Sequence, residues 1–398
     1  MLMVKAGQPV DDFIQLFTPH LSPGDLIIDG GNSYYRDTDR RIKEAENKGL
    51  LYLGVGISGG EYGALHGPSI MPGGHEEGYF LVKDILEKAA AQVEDGPCCT
   101  YLGPGSAGHF VKMVHNGIEY AFMQSIAECY YILREVGKLP APTIGKIFEE
   151  WNKSEDLNSY LVNITAQVLQ YLDPDTSKPL VDLILDQAEQ KGTGKWASQV
   201  ALDLGIPTPV INQSVIARNL SSFKEERKKI STLFPYSPEE KSDISLPHLE
   251  KALFLSQLGA FSEGFHILKE ASSEFSYNFN LPEVARVWKG GCILQSRLLG
   301  RIQEALRGEP DLLFVSPIFR EKVKEYLPSL RQVCAQALER EIPVPALCAS
   351  LSYLDSWKRE WLPANLIQAQ RDFFGAHTYR RIDREGVFHT IWQKEEKE

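Results

Sequence analysis

At Gly108 the hydrophobic rhythm of this 398-residue chain changes. Before it, short apolar runs, MLMV (1–4), DLIID (25–29), LYLGVGI (51–57), SIMPG (69–73) and CTYLG (99–103), are separated by stretches of helical character, notably 9–20, 35–48 and 75–92. Strands alternating with helices require crossover connections, which predicts a mainly parallel sheet covered on both faces. After Gly108 long helical periods take over, at 109–137, 143–150, 158–171, 180–203, 208–228, 247–275, 282–307 and 318–341. Apolar helices ending near LREVGK and LKEASSEF hint at duplication, without establishing a repeat. The last forty or so residues read as an extension rather than a closed unit.

Four of the early apolar runs end in glycine-rich turns: VKAG, DGGN, GISGGEYG and MPGG. In open α/β sheets ligands gather beyond the carboxyl ends of the strands, where glycine admits close approach of backbone amides. One such loop is no more than a turn; four in one sheet point to a nucleotide-binding domain. Such a domain opens with a strand, a GxGxxG turn and a helix whose N-terminus carries the pyrophosphate, and no such element stands ahead of MLMV. The expectation is a sheet lacking its central strand, either because the chain is shortened at its start or because a second chain supplies it. The fold class is therefore α/β, with an incomplete Rossmann-like sheet, followed by a large all-α domain and a C-terminal tail. The boundaries fall at 1–107 for the partial dinucleotide-binding domain, 108–360 for a helical substrate and dimerisation domain, and 361–398 for the tail.

Composition removes several classes of function. A net charge of -11 without a basic stripe argues against nucleic acid as a partner. No apolar run is long enough to span a membrane, and the N-terminus lacks the pattern of a signal peptide. The six cysteines show no metal-ligand spacing and read as reduced thiols, so no metal and a cytoplasmic location are expected.

The segment GHFVKMVHNGIEY sets Lys112, His115, Asn116 and Glu119 among large apolar residues. On a helix, steps of three, four and seven return to nearly one face, so these four groups project together. Alone, such a row is as well explained by a solvated face or a surface ion pair. It does not stand alone. IIDGGNSYYRDT, GISGGEYGALHGPSIMPGG, GPGSAGHFVKMVHNGIEY, QKGTGKW, ARNLSS and LIQAQRDFFGAHTY follow in order over almost the whole chain. Together they resemble the signature stretches of the 6-phosphogluconate dehydrogenase family. Tyr34, Tyr62, Ala197 and Asn219 depart from the family's usual wording, and none of them is a group that the chemistry needs.

The resemblance implies oxidation of a phosphorylated sugar acid, 6-phosphogluconate, at C3, loss of carbon dioxide, and reduction of NADP. Lys112 is then the base and later the donor to the developing oxyanion, and Glu119 the acid that protonates C1. His115 and Asn116 hydrogen-bond substrate hydroxyls and carboxylate. Ser58, Gly59 and Gly60 lie against the carboxylate end, and Asn32 reaches between nicotinamide and substrate, with Val4, Lys5 and Ala6 on the cofactor side. Tyr120, Lys191, Thr193 and Arg218 hold the phosphate, joined by Arg371 and His377 from the tail of a second subunit in a homodimer. Two other readings remain at this point: a catalytically silent dimer that binds sugar phosphate, and a related β-hydroxyacid dehydrogenase acting on another acid.

Overall fold

A computed structural model describes residues 1–188, 192–236 and 243–392. They form two compact units, Met1–Leu351 and Ser352–Glu398.

The first unit begins with helix α1 (Gln8–Phe17), strand β1 (Leu26–Asp29), α2 (Tyr35–Glu46), β2 (Leu51–Ser58), α3 (Gly60–His66), β3 (Ser69–Gly74) and α4 (Glu76–Ala89). β1 and β2 pair in parallel, with Leu26 opposite Leu51 and Asp29 opposite Gly54. β3 instead runs antiparallel to β2, with Ser58 opposite Ser69. The Gly59–Pro68 connection is shorter than the dozen or so residues a parallel crossover takes, so the chain folds back on itself. Of the other two expected strands, MLMV contributes one parallel bridge, Leu2 to Asp29, and CTYLG another, Ile70 to Cys99. The sheet core joins Ile28, Leu53, Val55 and Ile70 to Tyr79 and Leu86 of α4, while Ile27 and Tyr52 pack on Ile42 and Ala45 of α2. A small hairpin follows, β4 (Gln92–Val93) with β5 (Gly96–Pro97).

The helical region runs through α5 (Ala107–Glu135), α6 (Ala141–Trp151), α7 (Tyr160–Gln170), α8 (Thr193–Asp203), α9 (Pro209–Ser221), α10 (Lys224–Leu233), α11 (Leu246–Glu274), α12 (Leu281–Val287), α13 (Leu298–Leu306), α14 (Arg320–Glu339) and α15 (Pro345–Trp357). Three expected helices are interrupted. The 180–203 period gives a 3-10 turn at Leu180–Leu183 and then α8, which starts only after Gly192 in the left-handed region. The 208–228 period breaks at Ser222–Phe223, where the Ser221 and Ser222 hydroxyls donate back to the carbonyls of Arg218 and Asn219. The 282–307 period breaks at Trp288, and Gly291 has φ 66°.

The hinted duplication has a physical expression. α5 and α11 are each 29 residues long, and each buries a glutamate that receives the N-terminus of another helix. Glu263 accepts from the backbone of Val210 and Ile211 at 2.8 and 2.9 Å, and Glu128 accepts from Ala346 and Leu347 at the same distances. The capped segments read IPTPVI and IPVPAL. Five residues after the second proline, Ser214 and Ser350 each donate to the carbonyl one turn back.

In the second unit, α16 (Ala364–Gly375) is followed by a chain that closes on Asp372. Its buried carboxylate accepts from Thr378 and Thr390 backbone amides, both at 3.0 Å, and from Trp392 Nε1 at 2.8 Å, with His389 Nδ1 2.8 Å away. The tail is thus a knot of its own rather than a bare extension, because one carboxylate satisfies four donors. Among the described residues no helix is long and apolar enough to cross a membrane.

Candidate active site

Helix α5 rests directly on the sheet because both surfaces lack side chains where they meet. A Cβ on Gly108 would collide with the carbonyls of Gly54 and Met71, and one on Gly73 would strike the Gly108 amide. Two further glycines of β2 make room for specific groups. A Cβ on Gly54 would lie 2.8 Å from Nδ1 of His109, and one on Gly56 would overlap the stem of Lys112. The lysine is therefore laid across β2 and only 6% exposed.

From that turn onward α5 presents the expected row. His115 is fully buried, Asn116 is 6% exposed and the Glu119 side chain 22%. His115 Nδ1 lies 3.3 Å from Asn116 Oδ1 and 3.7 Å from Glu119 Oε2. Burial pushes the Lys112 amine below its ordinary range, against the opposing pull of Glu119 and of Cys292. Burial likewise raises the Glu119 carboxyl, opposed by Lys112 and Arg218. His115 is held well below its usual value by burial and then by Lys112, so its ring is neutral. The row thus contains an amine that gives up its proton more readily than a surface lysine and a carboxyl that holds its proton more tightly than a surface glutamate.

The end of β2 supplies the next wall. Ser58 is buried, Gly59 has φ 135° and Gly60 φ 58°, and Gly60 faces open space on its side-chain side. Behind them lies a segment that the sequence reading did not single out. Gly291 accepts from the Ser69 amide at 2.9 Å, and its carbonyl stands 2.8 Å from where a Gly59 Cβ would be. Trp288 meets the His115 ring edge to face at 5.6 Å, and Cys292, whose thiol is pushed up to about 12 chiefly by burial, feels Lys112. The signal available was WKGGC, a glycine pair inside a helical period.

Beyond Glu119, Tyr120 and Arg218 meet: the guanidinium carbon sits 3.6 Å above the tyrosine ring, and Nη2 is 3.6 Å from Met123 Sδ. Gly194, next to the buried Thr193 at the start of α8, leaves the space that the Tyr120 ring fills, since a Cβ there would be 2.7 Å away. Tyr120, Thr193 and Arg218 therefore gather at one end of the row. Lys191 lies outside the described residues. Arg371 and His377 belong to the second unit, where both are exposed and Arg371 Nη1 donates to Gln368 Oε1 at 3.0 Å.

On the other side of the sheet end, Asn32 is exposed just past β1. Its loop is fixed by Asp29, which accepts from the Gly31 amide (3.1 Å), the Ser33 hydroxyl (2.6 Å) and Tyr52 (3.2 Å), with Arg41 3.5 Å away. Val4 and Ala6 are half-buried and Lys5 is exposed. The Val4 carbonyl stands 2.8 Å from where a Gly31 side chain would begin, so Val4 and the Gly31 turn are packed directly against each other. Among the described residues no cluster of histidine, cysteine or carboxylate side chains could hold a metal.

This arrangement matches known proteins over nearly its whole length. Residues 1–103 match the NAD binding domain of 6-phosphogluconate dehydrogenase, and residues 108–392 its C-terminal domain. An NADP(+)-dependent, decarboxylating 6-phosphogluconate dehydrogenase of Bacillus subtilis is 51% identical, over 99% of this chain and 85% of that one. The NAD(+)-dependent enzyme of the same organism is 50% identical with the same coverage. The 6-phosphogluconate dehydrogenase of Plasmodium falciparum, whose structure was solved alone, with NADP+ and with its substrate, superposes with a TM-score of 0.95 at 45% identity, over 98% of this chain and 85% of that one. With both domains matched and nearly half or more of the residues shared along the chain, this protein belongs to the 6-phosphogluconate dehydrogenase family.

Proposed function

We propose that the chain oxidises 6-phosphogluconate to ribulose 5-phosphate and carbon dioxide with NADP as acceptor, in the cytoplasm and as a homodimer. The observation that carries the reading is the buried row on α5, where burial alone pushes Lys112 and Glu119 toward their neutral forms. A neutral amine takes the proton of the C3 hydroxyl as hydride leaves that carbon. The resulting ammonium then donates to the oxygen on which charge builds as carbon dioxide departs and the enediol forms. Glu119, two turns on and about 10 Å along the axis at 1.5 Å per residue, returns a proton to C1. His115 and Asn116 lie between them and orient the hydroxyls, with Ser58, Gly59 and Gly60 against the carboxylate.

Val4–Ala6 and the Gly31–Asn32 turn, packed against each other past the end of β1, would hold a nicotinamide dinucleotide. When bound, the dinucleotide accepts the hydride. Asn32 is exposed on that turn and would reach between nicotinamide and substrate. Tyr120, Thr193 and Arg218, with Lys191, take the phosphate, and Arg371 and His377 complete its cage from the exchanged tail of the second subunit. Exposed Phe373 and Phe374 beside Arg371 support a docked tail, since such aromatics in water are otherwise unfavourable.

The test is to mix the purified chain with 6-phosphogluconate and either NADP or NAD. Reduced NADP and carbon dioxide formed in equal amounts are expected. Neither product, or faster turnover of an unphosphorylated hydroxy acid, overturns the reading.

A further inference from the structure

Trp288 is fully buried, lies outside the row on α5, and has no part in the proposed chemistry. Its ring packs on His115, with centroids 5.6 Å apart and planes at 77°, the edge-to-face geometry that aromatic pairs favour. The polar contacts of His115 do little to orient it. Nδ1 is 3.3 Å from Asn116 Oδ1 and 3.7 Å from Glu119 Oε2, beyond the span of a good hydrogen bond, and Nε2 is buried with no hydrogen-bond partner. A buried ring so weakly held by hydrogen bonds takes its plane from what packs against it.

The indole is itself held. Its Nε1–H donates to Met71 Sδ on β3 at 3.4 Å, and the Phe265 ring of α11 lies 5.5 Å away. The chain on either side of Trp288 is tied to the first residue of the same strand. Ser69, fully buried, donates from its hydroxyl to the Val287 carbonyl at 2.7 Å and from its amide to the Gly291 carbonyl at 2.9 Å. The Cys292 thiol closes the turn by donating to the Trp288 carbonyl at 3.0 Å. Ser69 stands opposite Ser58 in the ladder, so the strand pair that ends in the Ser58–Gly60 wall also carries the support for the indole.

We infer that Trp288 is a positioning residue: clamped to β3 by Ser69 and Met71, it fixes the plane of the His115 ring and so the place of that ring beside Asn116 and Glu119. A phenyl ring could meet His115 edge to face, but it has no N–H for Met71 Sδ. The functional consequence rests on the proposed role of His115 in orienting substrate hydroxyls. The geometric part stands apart from that role.

Three substitutions test it. Trp288→Leu removes the ring, Trp288→Phe keeps a ring without the N–H, and Met71→Leu keeps the volume while removing the acceptor. Errors of placement on the ångström scale are costly, so W288L is expected to lower kcat/KM for 6-phosphogluconate about tenfold or more and to leave KM for the nucleotide within about threefold. W288F and M71L should fall between W288L and the parent. In a His115→Ala background W288L should cost little more, because the ring it places is gone. A merely structural tryptophan would cost the same factor with or without His115, and that result overturns the inference. So does parental kcat/KM in W288L. If W288L does not fold, the same cycle run with M71L decides.

A second measurement needs no turnover. In protein labelled with 13C-histidine, the ring signals that H115A removes must be displaced by the ring current of the neighbouring indole, and W288L must return them toward the position of free histidine. Signals that stay in place in W288L sink the inference even if kcat/KM falls. Wild-type protein that turns over no 6-phosphogluconate would count against the proposed reaction, and the displacement of these signals would still decide the inference.

Discussion

His115 Nδ1 stands 3.7 Å from Glu119 Oε2, one helical turn along α5, with both groups pressed toward neutrality by burial. A neutral ring provides no cation to strip the carboxyl of its proton. Glu119 therefore holds its proton to a higher pH than a surface glutamate does, and Lys112 loses its proton at a lower pH than a surface lysine does.

Activity should accordingly rise with pH through the lowered Lys112 value and fall through the raised Glu119 value. Glu119→Gln should remove the alkaline limb and leave the acid limb. A pH profile of kcat from about 5 to 10 checks this, and an unchanged alkaline limb in the variant contradicts it.

Lys112→Met should abolish reduction of the nucleotide, by about a thousandfold or more if it is the base. Glu119→Gln should still reduce nucleotide in a single turnover and release ribulose 5-phosphate slowly. Stopped-flow absorbance followed by product analysis separates the two. Equal mild losses in both variants would refute the division of labour.

Gly56→Ala puts a methyl group into the stem of Lys112. Because Lys112 is hemmed in by the sheet, overpacking is expected to lower stability by about 1–3 kcal/mol and to displace the amine. A drop in kcat larger than the drop in thermal stability explains, with KM for nucleotide little changed, is the expected outcome of kinetics and melting done together.

The two capping glutamates make stability depend on pH. Burial outweighs their two backbone donors and pushes Glu128 up to about 7 and Glu263 up to about 8. Below the usual glutamate value both folded and unfolded chains are protonated, and their contribution is whole. As pH climbs from there toward about 7 and 8 the unfolded chain has released the protons that the folded one retains, so stability falls. Urea midpoints at pH 5 and 9 should differ less in the Glu128→Gln, Glu263→Gln double variant than in the parent. An equal difference would show that these carboxyls titrate normally.

An exchanged tail makes a prediction no single variant can. Lys112→Met and Arg371→Ala chains, each nearly inactive alone, should regain activity when unfolded and refolded together, because the mixed dimer has one site with an intact lysine and a tail arginine from its neighbour. Assays of the mixture against each parent decide it. If no activity returns, Arg371 serves its own chain or serves no site.

The row on α5 was legible from the letters, because helical spacing is a local property: residues three, four and seven apart share a face wherever the helix lies. The same holds for the change of rhythm at Gly108 and for most helix limits. The breaks at Gly192, Ser222 and Gly291 were not, since isolated glycines and serines inside an apolar period carry little local signal. Nor was the direction of β3, which depends on how far a connection must travel. That Lys112 is a buried amine with a lowered pKa rather than a solvated cation was decided only when Gly54, Gly56, Gly73 and Gly108 let α5 sink onto the sheet, for burial shifts an amine and spacing does not. The contacts of Gly291 with Ser69 and of Arg218 with Tyr120 join residues far apart in the chain, and they exist only because separate elements pack. Local order was written in the sequence; the dielectric around each reacting group was set by the fold.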